Sequence, residues 1–220
     1  MAAPVSLESV RERIVAAAAR SGRSSDEVTL VIVSKGQPIE IIRELYERGE
    51  RDFGENRAQE LAAKVDDLPN DIRWHFVGPL QSNKVRLVRP NVTLLHSLDR
   101  RDLGSAWIKG PGLAPPALLQ VNVGGEPQKL GVDPLDAEQA FIDLIALGVD
   151  LVGLMTIPPL ADDPADTRRD FEEMRRLAEL IARDRGGPIA LSMGMTDDFE
   201  VAIEEGATFV RVGRAIFSDN

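Results

Sequence analysis

VTLVIVSKGQP, residues 28–38, is a β-branched apolar run broken by a lysine, a glycine and a proline. Residues 28–34 read as a strand buried on both faces, because no polar residue alternates within the run. Pro38 suits the first turn of a helix, where its missing amide hydrogen costs nothing. Ile39, Ile42, Leu45 and Tyr46 then mark one helical face, and Gly49 suits the C-terminal cap. The unit is therefore strand, loop, helix. It recurs downstream. Strand-like runs at 51–54, 73–77, 92–96, 117–123, 151–155, 189–191 and 208–212 alternate with helical patterns at 82–88, 99–108, 136–147, 167–183 and 196–205. Another helix, with Leu61 and Val65 on its apolar side, follows the second strand. Strict alternation implies a parallel sheet with helical crossovers, and about eight units in this length point to a closed (β/α)8 barrel. An open doubly wound sheet is the alternative. It would usually carry a Gly-rich dinucleotide turn after its first strand, and Ser34-Lys35-Gly36-Gln37-Pro38 is not one.

Upstream, residues 1–22 lack the apolar core of a secretory signal, and Glu8 and Glu12 argue against a transit peptide. Val10, Ile14, Val15 and Ala18 follow helical spacing, so an extra amphipathic helix is expected on the body of the barrel. The chain has 220 residues, which fits a single domain covering 1–220, and 43% are hydrophobic, which excludes a disordered chain. The net charge of −10 disfavours non-specific nucleic-acid binding. With no cysteine and only two histidines, thiolate chemistry and a His-rich metal cluster are excluded. Asp162, Asp163 and Asp166 match no calcium-loop spacing and read as a solvated acidic loop. No apolar run approaches membrane-spanning length, so a soluble cytoplasmic protein is the expectation.

Barrels carry their chemistry at the C-terminal ends of their strands. Lys35 sits at such an end. Partly desolvated there, it could act as an imine-forming amine; taken alone, it reads more readily as a solvated loop lysine. The loops after the last two strands are Ser192-Met193-Gly194-Met195-Thr196 and Gly213-Arg214-Ala215. Barrels often bind phosphate here, with glycine letting backbone amides approach. Ser192 offers a hydroxyl, Gly213 and Arg214 offer amides, and Arg211 offers a fixed positive charge. Ordinary βα turns use the same residues. Asp197 and Asp198 would repel phosphate and are placed on the first turn of their helix, pointing away. Asn56 could hydrogen-bond a ligand or cap its helix. His75, within a strand, and His96, near the end of another, read as packed, hydrogen-bonded histidines.

Taken together, Val33-Ser34-Lys35, Asp52-Phe53-Gly54-Glu55-Asn56, Trp74-His75-Phe76 and Gly78-Pro79-Leu80-Gln81-Ser82-Asn83-Lys84 form an ordered set. Gln120-Val121-Asn122, Gly153-Leu154-Met155-Thr156-Ile157-Pro158-Pro159, Leu191-Ser192-Met193-Gly194-Met195 and Val210-Arg211-Val212-Gly213 complete it. In order and spacing the chain resembles the pyridoxal phosphate homeostasis protein family, from about residue 28 to 217. That family is similar in fold to the barrel domain of alanine racemase. The resemblance implies pyridoxal 5′-phosphate (PLP) held as an imine on Lys35. It implies phosphate contacts from Ser192 and the Gly213–Arg214 backbone, and cofactor contacts from Asn56 and Arg211. Whether Arg211 meets the ring nitrogen or the phosphate stays open. Two positions depart from many relatives: Pro79 stands in place of His, and Arg214 in place of a hydroxyl residue.

The resemblance also implies a non-catalytic role in PLP homeostasis, with PLP-dependent apoenzymes as possible recipients. The alternative is a PLP-dependent amino-acid racemase, which needs acid–base groups on both faces of the substrate. Related racemases draw the opposing tyrosine from a second domain of a partner subunit. Here the chain ends at Asn220, soon after Val212, so that domain is expected to be absent and the protein to be a monomer. Tyr46, the single tyrosine, lies at a core-facing helical position. A third reading is a barrel enzyme in which Lys35 forms an imine with a phosphorylated substrate.

Overall fold

A computed structural model describes residues 6–110, 112–126, 130–159 and 164–217. Its strands are β1 (Thr29–Val33), β2 (Asp52–Glu55), β3 (Arg73–Phe76), β4 (Leu94–Leu98), β5 (Ala117–Val121), β6 (Leu151–Thr156), β7 (Ala190–Ser192) and β8 (Phe209–Val212). They pair in parallel, each with the next, and β8 closes on β1 with Thr29 beside Phe209 and Ile32 beside Val212. The helices are α1 (Ser6–Arg20), α2 (Ile39–Glu47), α3 (Ala58–Val65), α4 (Val85–Val88), α5 (Arg101–Lys109), α6 (Ala137–Ala146), α7 (Pro164–Arg185), α8 (Phe199–Glu204) and α9 (Arg214–Phe217). The (β/α)8 barrel read from the strand–helix alternation is the fold found.

The main core lies between strands and helices, and Ile32, Phe53, Leu95, Leu119, Leu154 and Val210 face it from the barrel wall. A second, smaller core of Leu94, Leu118 and Met155, edged by Phe209, lies apart from it. On β4, β5 and β8 the two clusters take adjacent residues, as side chains that alternate between the two faces of a strand must. The small cluster therefore fills the barrel's interior. Helix α1 packs on α8 and α9 through Leu7, Val10, Ile14, Ala17 and Ala18. Arg13 stacks over Phe199 and pairs with Glu200. Val15, assigned to the same face by spacing, is instead 54% exposed, because it lies a full residue beyond the edge of the buried stripe.

Element boundaries moved where local chemistry overrode pattern. Pro38 precedes α2 as its N-cap in extended conformation rather than occupying the first helical position. Residues 82–88 form a 3-10 turn (Ser82–Lys84) running into the single turn of α4, and Asn91 bonds back to the Leu87 carbonyl to finish it. Helix α8 begins only at Phe199, because the Asp198 carboxylate accepts the Met195 amide at 2.5 Å and holds the preceding residues in a loop. Helix α7 starts earlier than its apolar pattern, at Pro164. Asp162 and Asp163 lie outside the described residues. Among the described residues there is no cluster of acids and histidines able to hold a metal, and no helix long and apolar enough to cross a membrane.

Candidate functional site

Strand β1 ends at Val33, and its neighbours β2 and β8 end beside it. The loops carrying Lys35, Asn56 and Gly213 thus meet on one rim of the barrel mouth. Contact between them is close: a Cβ on Gly213 would lie 3.0 Å from the Val33 carbonyl oxygen. A side chain there would push β1 or the β8 loop aside by a few tenths of an ångström, which the glycine avoids.

Lys35 is exposed, which corrects the expectation of a partly desolvated amine. The chain on either side of it is held firmly. The ammonium of Lys64, on α3, is buried and donates to the Ser34 carbonyl at 2.8 Å, to Glu55 Oε1 at 2.7 Å and to Glu60 Oε1 at 2.7 Å. The Ser34 hydroxyl donates to the same Glu55 oxygen at 2.7 Å, and the Gly36 amide donates to Glu60 at 2.5 Å. Burial raises the Glu55 carboxyl above its ordinary range, against the pull of Lys64 and Ser34. Glu60 is less buried. Burial raises its carboxyl too, but the bonds from Lys64 and Gly36 outweigh it and the net shift is downward. Residues on both sides of Lys35 are therefore pinned to α3 and β2, while Lys35 projects beyond that frame. Nothing in the local sequence around Lys35 pointed to Lys64; the signal was a lysine four residues after Glu60 on a helix face that must meet β1.

Asn56 follows β2 directly. It does not cap α3: Arg57 is the N-cap residue and no side chain bonds there. Its Oδ1 is buried with no hydrogen-bond partner among the described groups. A buried amide oxygen without a donor is uncommon and is satisfied when a ligand supplies one.

On the other side of β1, Arg211 of β8 is 4% exposed. It donates to the Ser192 hydroxyl at 2.6 Å and to the Thr156 carbonyl at 2.7 Å. It forms no ion pair among the described residues, although buried guanidinium groups ordinarily have one. Burial lowers its pKa to about 10, against the distant pull of Asp198. Asp198 is not turned away, as its expected place on a first helical turn required. Burial raises its carboxyl, and the Met195 amide holds it toward the loop. Arg214 is exposed, and its guanidinium pairs with Asp197 at 2.5 Å, so the extra cation at this position is largely neutralised. Neither the Gly213 nor the Arg214 amide donates to another described group. Gly194, buried with φ +92°, lies so close to Phe199 and Ala202 that a side chain would not fit.

Ser192 is fully buried and shared between two partners. Besides Arg211 it meets Nδ1 of His96 at 2.7 Å. His96 Nε2 lies 2.9 Å from His75 Nδ1, and His75 Nε2 lies 3.1 Å from Asp52 Oδ1. Arg73 also holds Asp52, at 2.8 and 2.5 Å. Burial alone would raise Asp52, but these bonds from Arg73 and His75 hold it down to about 2. Burial, His75 and Arg211 push His96 well below the usual imidazole range. The two histidines were expected to be packed and bonded. That they bond to each other, and join Ser192 to Asp52, was not visible, because the contact spans β2, β3, β4 and β7.

This geometry defines a class: a closed (β/α)8 barrel with a lysine just past the end of β1 and, facing the barrel interior from β8, a buried arginine that makes no ion pair among the described residues. These groups suit an anionic, hydrogen-bonding ligand. Residues 5–220 match the family model described as alanine racemase, N-terminal domain. Among curated relatives, the pyridoxal phosphate homeostasis protein of Aquifex aeolicus (strain VF5) is 43% identical, covering 97% of this chain and 96% of that one. The protein of the same name from Deinococcus radiodurans is 39% identical, covering 99% and 100%. Among solved structures, PipY of Synechococcus elongatus PCC7942, with PLP bound, is 37% identical with a TM-score of 0.79, covering 95% of this chain and all of PipY (100%). The chain belongs to the pyridoxal phosphate homeostasis proteins, within the alanine racemase N-terminal domain family.

Proposed function

We propose that this chain binds pyridoxal 5′-phosphate at the mouth of its barrel, as an imine on Lys35, and serves PLP homeostasis without efficient turnover of its own. The observation that carries the reading is Arg211: a buried guanidinium that makes no ion pair among the described residues, on the strand adjoining the lysine's. The residues fit the cofactor. Arg211 offers positive charge, the amides of Gly213 and Arg214 offer unused donors, and the orphaned Asn56 oxygen offers an acceptor. Ser192 lies against Arg211 on the same wall. A bound PLP supplies an aldehyde that can be held covalently by an amine and, in enzymes, an electron sink. This chain's part is to keep the Lys35 loop rigid, through Lys64, Glu55 and Glu60, and to keep the inner wall charged.

Two further considerations support a carrier over a racemase. Relatives similar over nearly the whole chain are named for homeostasis. In addition, the only tyrosine, Tyr46, lies near the end of α2, toward the opposite end of the barrel, with its hydroxyl on Asp71 at 2.6 Å and Arg51 stacked on its ring. It is not available as a second base. The reading includes a single barrel domain acting as a monomer in the cytoplasm, with PLP-dependent apoenzymes as recipients and neither nucleic acid nor membrane as partner. The test has two arms. Adding PLP should produce a visible absorption band, and solvent deuterium should not enter the α-carbon of alanine or serine at an enzyme-like rate. Rapid exchange that vanished in Lys35→Ala would replace the carrier reading with the enzyme one.

A further inference from the structure

Strands β4, β7 and β8 repeat one alternation on the face turned into the barrel. Leu94, Ala190 and Phe209 belong to the small apolar cluster of the interior. Two residues further along the same strands, and so roughly 6.6 Å nearer the mouth, stand His96, Ser192 and Arg211. All three are buried. The contact between His96 and Ser192 joins β4 to β7, which are not neighbours in the sheet, so it crosses the interior. The layer beneath the mouth is therefore polar on this side, where barrel interiors are ordinarily filled by branched apolar side chains.

Stability does not account for that layer. Leucines in place of His75 and His96 would extend the cluster of Leu94, Leu118 and Met155, and Phe209 already packs against both rings, at 5.9 and 5.6 Å. Exchanging both members of a buried polar pair for apolar groups of similar volume is close to neutral. What the polar row supplies is orientation. Arg211 is held on one side by the Thr156 carbonyl, whose residue is buried and donates its own hydroxyl to the Val121 carbonyl at 2.9 Å. On the other side it is held by the Ser192 hydroxyl, a group with three staggered positions unless something fixes it. His96 fixes Ser192, His75 fixes His96, Asp52 fixes His75, and Arg73 clamps Asp52 with two bonds. Ser192 and both rings have a partner on each side, so none can turn without leaving a buried polar atom unpaired. At the lower end Asp52 is 14% exposed and lines a cavity of about 290 Å³ with Arg11 and Glu50, so the anchoring charge stays within reach of water.

We propose that Asp52, His75 and His96 are positioning residues for Arg211: acting through the Ser192 hydroxyl, they hold the guanidinium beneath the mouth in the orientation that receives the ligand. The inference rests on the PLP-binding reading of this site and deepens it, since it makes three residues beneath the cofactor determinants of its affinity at one remove. An arginine already fixed in place needs no reordering when the ligand arrives, and that ordering cost is otherwise taken from the affinity.

The test separates affinity from stability. Replacing His75 and His96 together by leucine should leave the urea midpoint of the ligand-free protein unchanged or raise it. The same exchange should weaken PLP, titrated by its visible band, on the order of tenfold. In an Arg211→Lys background, where the ammonium cannot reproduce the planar pair of bonds, it should alter PLP affinity by less than about twofold. Asp52→Asn keeps a bond to His75 and should bind PLP within about twofold of the wild type, whereas Asp52→Leu cannot keep it and should lose on the order of tenfold. The Asp52 pair lies at a partly exposed position and decides the matter even where the double leucine variant fails to fold. A lowered urea midpoint with unchanged affinity would make the row structural only and overturn the proposal. So would a loss of the same size in the Arg211→Lys background, which would mean that the row does not act through Arg211, or equal effects of Asp52→Asn and Asp52→Leu. A wild type that forms no visible band with PLP would overturn the binding reading as well; a band indifferent to all of these substitutions would overturn this inference alone.

Discussion

Replacing Lys64 by methionine isolates the frame that holds Lys35. Methionine keeps most of the buried volume and removes the charge. Glu55, 0% exposed, would then face the interior with only the Ser34 hydroxyl on one oxygen and nothing on the other. A buried carboxylate stripped of its partner takes up a proton instead. The cost is that of protonating a carboxyl with an ordinary pKa of 4.5. At about 1.36 kcal/mol per pH unit, this is roughly 3.4 kcal/mol at pH 7 and roughly 1.4 kcal/mol at pH 5.5. The sign follows from the direction of the shift. Glu55 is raised in the folded state, so its protonated form stabilises the fold below the unfolded pKa, and that contribution is lost as pH rises through the folded pKa. Urea unfolding at the two pH values reads the difference directly. The variant should be markedly less stable than the wild type at pH 7 and recover about 2 kcal/mol of that deficit at pH 5.5. Adding Glu55→Gln should recover most of the deficit at pH 7, since no charge is then buried. An equal deficit at both pH values, or one below about 1 kcal/mol at pH 7, would refute the reasoning.

Other outcomes follow from the same geometry. Ser192→Ala should weaken PLP more than pyridoxal, by the order of 1.5–3 kcal/mol expected for a lost charge-assisted hydrogen bond, as read by fluorescence titration; equal weakening would place the phosphate elsewhere. Arg214→Ser should leave PLP affinity nearly unchanged in a titration at moderate salt, because its guanidinium is 75% exposed and engaged by Asp197. Asp52, held down to about 2, stabilises the fold above the unfolded carboxyl pKa, and this is lost as pH falls toward 2; Asp52→Asn should flatten the acid limb of a stability–pH profile in that window.

The barrel was legible because short strand-like runs, several of them apolar throughout, alternate with separate 3.6-residue helical patterns, and the chain between 28 and 38 already shows the start of that alternation. Lys35, Ser192, Arg211 and Gly213 were legible as strand-end residues, a matter of position along one element. What stayed hidden depended on pairs of elements. Lys64 reads as an ordinary helix lysine until α3 is laid against β1. His75 and His96 read as two separate core histidines until β3 and β4 are set in register, with His75 beside Leu94. Exposure was misjudged for the same reason. Lys35 looked desolvated because it follows a buried run, but β1 ends at Val33, and Lys35 and Gly36 lie exposed in the loop beyond it.

Borohydride reduction of the PLP-loaded protein, followed by peptide mass mapping, tests the central claim most directly. Reduction fixes an imine as a stable amine, so the cofactor mass should appear on the peptide containing Lys35 and be absent from Lys35→Ala. Full-stoichiometry labelling of Lys35→Ala, or labelling of the wild type at Lys64, Lys84 or another lysine in its place, would contradict the account.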